Sequence, residues 1–414
     1  MNTATASDPG PLADVKVIEL CHLIAGPYCG LLLADEGADV VKVEPPQGEL
    51  TRNREPMRTS EQGTISGYFA SLNRRKRSIT LDLKSQPGAA LLERLLADAD
   101  VFITNMRGGA LERLGFHPAD LRKRFPKLIV VSMSGFGLYN SGGDPDRAGL
   151  AMVAEAVSGT TALTRDREGR PTWSGFALGD IITGVTAHSS VLLGLRERDR
   201  TGQGRLVDLA LTECTLPLAT VALARVQSSD AELNAVAGSN DFHDVPYGTF
   251  EASDGFYNIG VNRDDFWVRL CNAIGRPELG EDPRYAKYVA RASRQREVET
   301  MLEEWSKKLT RSAVVETLTK ADIPVAPVLT MDGVLEYGHF IARGTFVEVD
   351  DAIGGSLRQP NDPTGFAVRT PARIPLLGEH RDAILRELGV VGAEIEALAD
   401  GGAFGPARGV SATP

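Results

Sequence analysis

The stretch Asp14–Pro46, DVKVIELCHLIAGPYCGLLLADEGADVVKVEPP, decides the fold. DVKVIEL (Asp14–Leu20) is a short apolar run rich in Val and Ile, the pattern of a buried strand. AGPYCGLLLADEG then turns on glycine and proline and continues as a helical pattern ending at Gly37. ADVVKVEPP is a second strand, stopped by prolines. Strand, helix and strand at this spacing make a β-α-β unit and imply a parallel sheet.

The alternation continues outward. SITLDL is a strand, PGAALLERLLADA a helix with proline at its start, DVFITN a strand, and LIVVSMSGFG a strand ending in glycines. RTGQG turns the chain into RLVDLALTEC, a strand followed by a helix. The polar stretch Val226–Asn240 reads as a linker. PYGTFEASDGFYNIGV reads as a hairpin turning at Asp254-Gly255, RDDFWVRLCNAIG as a helix, and two further helical patterns run to Lys320. From about Thr330 the chain holds one more strand, GTFVEVDD, and a last helix, HRDAILRELG. The expected division is residues 1–225 and 330–414 for a large α/β domain and 226–329 for a linker and a smaller α+β domain. The sheet suggests nucleotide binding, yet neither GxGxxG nor GxxxxGK[ST] is present, which argues against a standard dinucleotide or P-loop site.

The 414 residues carry 45 Lys and Arg against 55 Asp and Glu, a net charge of −10, so neither nucleic acid nor a membrane surface is an expected partner. Cys21, Cys29, Cys214 and Cys271 are scattered, without a CxxC pair or a grouping with histidine; they read as free thiols, and no metal site is expected. No secretory signal and no run of about 20 apolar residues is seen, so a cytoplasmic location is expected.

One acidic residue is out of keeping with its surroundings. In GFALGDIITG (Gly175–Gly184), Asp180 follows a glycine and sits among Ala177, Leu178, Ile181 and Ile182. Such a carboxylate is either a helix N-cap or a reactive group. If Ile181 starts a helix, its amides stand ready for an anion. Gly175, Gly179 and Gly184 would allow close backbone approach. A second oddity is NRRKRS, which packs Arg74, Arg75, Lys76 and Arg77 together in an acidic chain, directly before a strand. Guanidinium forks suit phosphate oxygens, and a solvated basic turn is the alternative.

VIELCHLIAGPYCGLLLADEGADVVKVEPP, NRRKRSITLDL, GFALGDIITG, RTGQGRLVDLAL, VPYGTFEASDGFYNI and PLLGEHRDAIL occur in this order. The ordered set resembles the family III CoA-transferases, the group that includes formyl-CoA, carnitine and succinyl-CoA transferases. The likeness runs from about Val17 to Gly389, nearly the whole chain. It implies a Rossmann-like large domain built from both chain ends, a smaller α+β domain, and two chains threaded into an interlocked homodimer. It implies a transferase of sulfur-containing groups (EC 2.8.3 type) that moves CoA from an acyl-CoA to a carboxylic acid. No cofactor would be permanently bound, the CoA thioester being substrate.

The resemblance makes Asp180 the nucleophile, with Gly179 and Gly184 as glycines of the active site. It puts CoA contacts at Ile24, Ala25, Leu72, Arg75, Lys76, Asn105, Met106, Arg107 and Arg113. Relative to formyl-CoA transferases, Pro45 and Ser134 stand where arginine and lysine are found, and AGSNDFHDVPYG replaces a glycine-run loop. A dicarboxylic substrate would want a cation near Asp180; His22, His243 and Arg147 are the candidates, and Glu155 is a candidate for the pocket wall. Two rival readings are a CoA-binding protein without turnover and an α-methylacyl-CoA racemase. The racemase aspartate would fall on Asp180 itself, but its partner histidine would fall on Leu150, which exchanges no proton.

Overall fold

The computed structural model describes residues 9–139, 146–166, 168–228 and 244–405. The chain forms two compact units: Met1–Ser158, Gly175–Pro217 and Ile341–Pro414 make one, Gly159–Ser174 and Leu218–Phe340 the other. The second unit thus takes in residues 159–174 and extends to 340, beyond the 226–329 expected from composition.

The larger unit carries a six-stranded sheet: β1 (Lys16–Leu20), β2 (Asp39–Glu44), β3 (Arg77–Thr80), β4 (Val101–Thr104), β5 (Ile129–Ser134) and β6 (Leu206–Ala210). Its order is β3-β2-β1-β4-β5-β6, with every neighbouring pair parallel. β4 and β5 are buried along their whole length, which explains why they read as continuous apolar runs. The helices that follow β1, β3 and β4 are α1 (Ala25–Asp35), α2 (Gln86–Ala97) and α3 (Gly108–Arg113). Ser85 caps α2 by accepting the Gly88 amide. Two apolar cores form, one containing Leu91, Leu95, Phe102 and Val130, the other Val17, Leu33, Ile103 and Val131. Ile384, Leu385 and Ala403 from the far end of the chain join the first core, and the Asp82 amide donates to the Ala403 carbonyl.

The strand order makes a topological switch. From β1 the chain passes to β2 and β3 on one side, then crosses to β4 on the other. Beyond the carboxyl ends of β1 and β4, the loops 21–24 and 105–107 therefore diverge and leave a crevice, the usual ligand position in such sheets.

α4 (Ala151–Val157) and α5 (Leu178–Thr201) complete the part that bears on the site. α5 spans 24 residues and is long and apolar enough to cross a membrane, beyond the apolar length expected from sequence. Its Ala187 and Val191 are nevertheless fully buried in the second core beside β5. Its approach to α1 is set by Gly184: a Cβ there would stand 2.8 Å from the Ala25 carbonyl oxygen and 3.0 Å from the Tyr28 ring.

The smaller unit has a hairpin of β7 (Tyr247–Ala252) and β8 (Gly255–Gly260), joined by β9 (Val325–Pro327), under α6 (Asp264–Ala273), α7 (Gln295–Ser306) and α8 (Arg311–Lys320). The hairpin turns on Ser253 and Asp254, one residue earlier than expected. The linker expected from Val226 is helical as far as Ser228, and its remainder lies outside the described residues.

Gly184→Val should force α5 away from α1 and cost about 1–3 kcal/mol, the usual penalty for overpacking. Urea unfolding is the check, with a midpoint at or above that of the wild type counting against this contact.

Candidate active site

Asp180 is the third residue of α5. The helix starts at Leu178 rather than at Ile181, and its N-cap is Ala177, which makes no side-chain cap. Asp180 is thus not an N-cap. Residues four apart share a helix face, so Asp180 lies one turn from Gly184 and above the start of α1. Gly179 fits against the Ala151 carbonyl and the Thr215 hydroxyl, each 3.2 Å from where a Cβ would be. Gly175 instead has open space around it; its φ of 84° is what calls for glycine.

The Asp180 carboxylate is largely shielded from water, and no ion pair or side-chain hydrogen bond holds it among the described residues. Burial first, and the Glu155 charge second, push its carboxyl up to about 6. Glu155 comes from α4, is 2% exposed, and accepts the Gly179 amide at 3.3 Å. Glu155 is therefore of the wrong sign to neutralise Asp180. The N-terminal turn of α5 supplies a partial positive charge in its place.

The two crevice loops are tied together. The Asn105 carboxamide accepts the His22 amide at 2.8 Å and donates to the His22 carbonyl at 2.6 Å. Leu23 has a left-handed φ of 63°, a strained state for a branched side chain, and its amide donates to Glu49. Ile24 then begins α1 without a side-chain cap. Met106 and Arg107 follow Asn105. Arg107 caps α3 with its backbone, and Arg113 ends that helix. Both guanidinium groups are exposed and have no protein partner among the described residues. Ile24, Ala25, Asn105, Met106 and Arg107 thus share one crevice at the carboxyl ends of β1 and β4, with Arg113 one helix further on.

The remaining expected contacts lie elsewhere. Leu72 is buried. Lys76 is 3% exposed, and its ammonium spends all three protons on the Pro27 carbonyl (2.7 Å), Asn73 (2.9 Å) and Glu19 (2.7 Å). Glu19 is shared with Lys42 at 2.7 Å, all three side chains being fully enclosed. Arg75 is bound to Val368, Thr370 and Asp35. Arg74 grips Asp35, and Arg77 is held by Asp39 and Glu387. The NRRKRS backbone leads into the amino end of β3, the Lys76 ammonium reaches Glu19 and the first turn of α1, and every cation in the cluster is held by an acidic residue of the protein.

Of the cations considered for a distal carboxylate, His22 is held below the usual imidazole range by burial and by the Lys42 charge, so it is neutral. Its Nδ1 is buried without a partner. Arg147 stacks over the Phe136 ring at 4.1 Å. His243 lies outside the described residues. The sequence reading missed Tyr68. Tyr68 is half-buried; burial raises its hydroxyl above the usual phenol range, with Asp180 the largest charge acting on it. It belongs to no quoted motif, so no sequence signal marked it.

Comparison with known proteins identifies the family and the fold. The model of CoA-transferase family III matches residues 12–381. The succinyl-CoA–D-citramalate CoA-transferase of Chloroflexus aurantiacus is 34% identical over 388 residues, covering 92% of this chain and 94% of the relative. A formyl-CoA:oxalate CoA-transferase of Bradyrhizobium is 32% identical over 425 residues, covering 96% and 98%. Among solved structures, a CaiB/BaiF family protein from Brucella suis superposes with a TM-score of 0.81 at 33% identity, covering 92% and 99%.

The raised Asp180 carboxyl is also a stability cost. It holds its proton more tightly folded than unfolded, so stability falls as pH rises from the ordinary carboxyl value of 3.8 through about 6. Asp180→Asn should therefore be more stable than the wild type by about 1–3 kcal/mol at pH 8. That gain should drain away as the pH is lowered toward 4. Thermal unfolding of both proteins across this range checks it, and a gain independent of pH would contradict the assignment.

Proposed function

The chain belongs to CoA-transferase family III, and from that premise we propose that it moves CoA between two carboxylic acids through covalent intermediates on Asp180. The observation that carries the reading is a water-shielded carboxylate in the first turn of α5 with no hydrogen-bond or ion-pair partner among the described residues.

The sequence of bonds follows. The Asp180 carboxylate attacks the thioester carbonyl of the donor acyl-CoA. The C–S bond breaks, giving an acyl-aspartyl anhydride and the CoA thiolate. The thiolate attacks the aspartyl carbonyl and expels the donor acid as a carboxylate, leaving an aspartyl-CoA thioester. The acceptor carboxylate attacks that thioester and expels the thiolate, forming a second anhydride. The thiolate then attacks the acceptor's acyl carbon, releasing the new acyl-CoA and free Asp180. No proton is gained or lost over the cycle. One hard exchange becomes four substitutions at activated carbonyls.

What supports each part is local. The lack of a cation on Asp180 leaves its lone pairs available for attack. The helix amides that face it favour the oxyanion formed at each step. Gly179 and Gly184 let α5 come close enough to α4 and α1 for the carboxylate to be screened from water, which limits anhydride hydrolysis. For CoA we assign Ile24, Ala25, Asn105 and Met106 to the crevice, with Arg107 and Arg113 as the free guanidinium groups for its phosphates. Leu72, Arg75 and Lys76 support these elements from within. The racemase reading gains nothing from the structure, since Leu150 is an exposed residue at the start of α4.

We also propose that the enzyme is a homodimer, with the chains interlocked as in the family resemblance. On α5, Leu193 is 71% exposed beside the partly exposed Val185 and Leu192. An apolar face of this kind on a core helix calls for a cover. Four free cysteines, all buried, suit a reducing cytoplasm.

Asp180→Ala should lower CoA transfer by roughly 10⁴-fold or more. Intact-mass analysis of acyl-CoA-treated wild-type protein should show a CoA adduct that maps to Asp180, and hydroxylamine should trap it. An active Asp180→Ala protein, or a wild type without an adduct, would remove this mechanism. Leu193→Glu should shift the species seen by light scattering from two chains to one or to aggregate. A wild type of single-chain mass would refute the dimer.

A further inference from the structure

We propose that Glu155 is a positioning residue for Asp180: it caps α5 from the neighbouring helix α4 through the Gly179 amide and so fixes the backbone that carries the nucleophile. The inference rests on the Asp180 reading above and adds to it the group that holds Asp180 in place.

The first turn of a helix leaves amides that need acceptors, and an N-cap side chain usually supplies one. α5 has no such cap, because Ala177 occupies the position. The Leu178 amide turns back to the Phe176 carbonyl at 2.8 Å, and the Ile181 amide reaches the Ala177 carbonyl at 3.1 Å. The Gly179 amide is met from outside the helix, by Glu155 Oε1 at 3.3 Å. Glu155 lies in α4, 24 residues earlier in the chain, and is 2% exposed. A carboxylate is the favoured charge at a helix N-terminus, and one that comes from a second helix also ties the two helices together.

The surrounding contacts are shaped for this bond. Ala151 begins α4, and its carbonyl lies 3.2 Å from where a Gly179 Cβ would stand. Glu155 is one turn further along the same face of α4. The Thr183 hydroxyl donates to the Gly179 carbonyl at 2.7 Å. Side chains therefore hold both the amide and the carbonyl of the residue directly before Asp180.

A glutamine could accept the same amide, so the charge of Glu155 is a second property, separable from the cap. Burial first, and this charge second, hold the Asp180 carboxyl at about 6. The other titratable groups around this end of α5 are Tyr28 of α1, Tyr68, and Cys214 of the short helix Leu211–Thr215. Burial pushes all three above their usual ranges, which keeps them neutral. Glu213 of that short helix is exposed.

Two variants separate the cap from the charge. Glu155→Gln keeps the acceptor and removes the charge, whereas Glu155→Asp keeps the charge and draws the acceptor back from Gly179. For both and the wild type, kcat and KM for an acyl-CoA donor are measured across pH 5–8, with the rate of adduct formation on Asp180. Glu155→Asp should lower kcat by about 10-fold, the effect of one lost hydrogen bond, with adduct formation slowed in step and KM changed less. Glu155→Gln should lower kcat far less, and should move the acidic limb of its kcat/KM profile to lower pH. A Glu155→Asp protein with wild-type kcat, or a Glu155→Gln protein as slow as Glu155→Asp, would overturn the positioning role while keeping the transferase. An acidic limb that Glu155→Gln leaves in place would overturn the part given to the charge. No adduct on wild-type Asp180 from any donor would overturn the Asp180 reading, and the positioning role with it.

Discussion

The site depends on how closely two helices approach. A side chain at position 184 would strike the Ala25 carbonyl, so the missing Cβ is what lets α5 lie on α1. This contact fixes the height and rotation of α5 one turn above it, where Asp180 stands. It also fixes α1 against the helix that carries Asp180. The covalent cycle proposed above would have little use for a flexible mount. A long helix packed into the core, rather than a loop, holds Asp180 in place.

The electrostatics of the larger unit separate structure from chemistry. Its enclosed charges are paired: Glu19 between Lys42 and Lys76, Asp35 with Arg74, Glu44 with Arg52. Lys42 also donates to the Cys21 carbonyl at 3.1 Å, so the triad under the sheet holds the first residue of the crevice loop. Gly30 leaves room for the Glu19 carboxylate to reach both amines. Against this background Asp180 is the exception, a shielded carboxylate whose nearest charge, Glu155, is also negative. Glu49 and Glu155 are also enclosed, but each accepts backbone amides, whereas no hydrogen bond holds Asp180 among the described residues.

The alternation around Asp14–Pro46 was legible because buried parallel strands and amphipathic helices leave different periods in sequence. The six-stranded sheet followed from it, with boundaries off by one or two residues. Asp180 was legible as an anomaly of composition, but its role came from the ordered motifs. The helix around it begins three residues earlier than expected because Ala177 and Leu178 carry no capping signal. The NRRKRS cluster shows a different limit. Charge density is visible in sequence, but the partners that cancel it are not: Asp35 lies 39 residues from Arg74, and Glu387 lies 310 from Arg77.

The same comparison of paired and unpaired cations separates two groups. The cations of NRRKRS are each held by an acidic residue of the protein, whereas Arg107 and Arg113 are exposed and have no partner among the described residues. The second pair follows β4, beside the switch point of the sheet, where ligands of such folds commonly lie. A cation already cancelled within the fold costs a phosphate ligand a broken ion pair, whereas a free one costs only its water. The sheet order thus sets apart the cations that hold the fold from those left available to a ligand, and a scaffold of this kind can carry relatives named for acids as different as oxalate and citramalate.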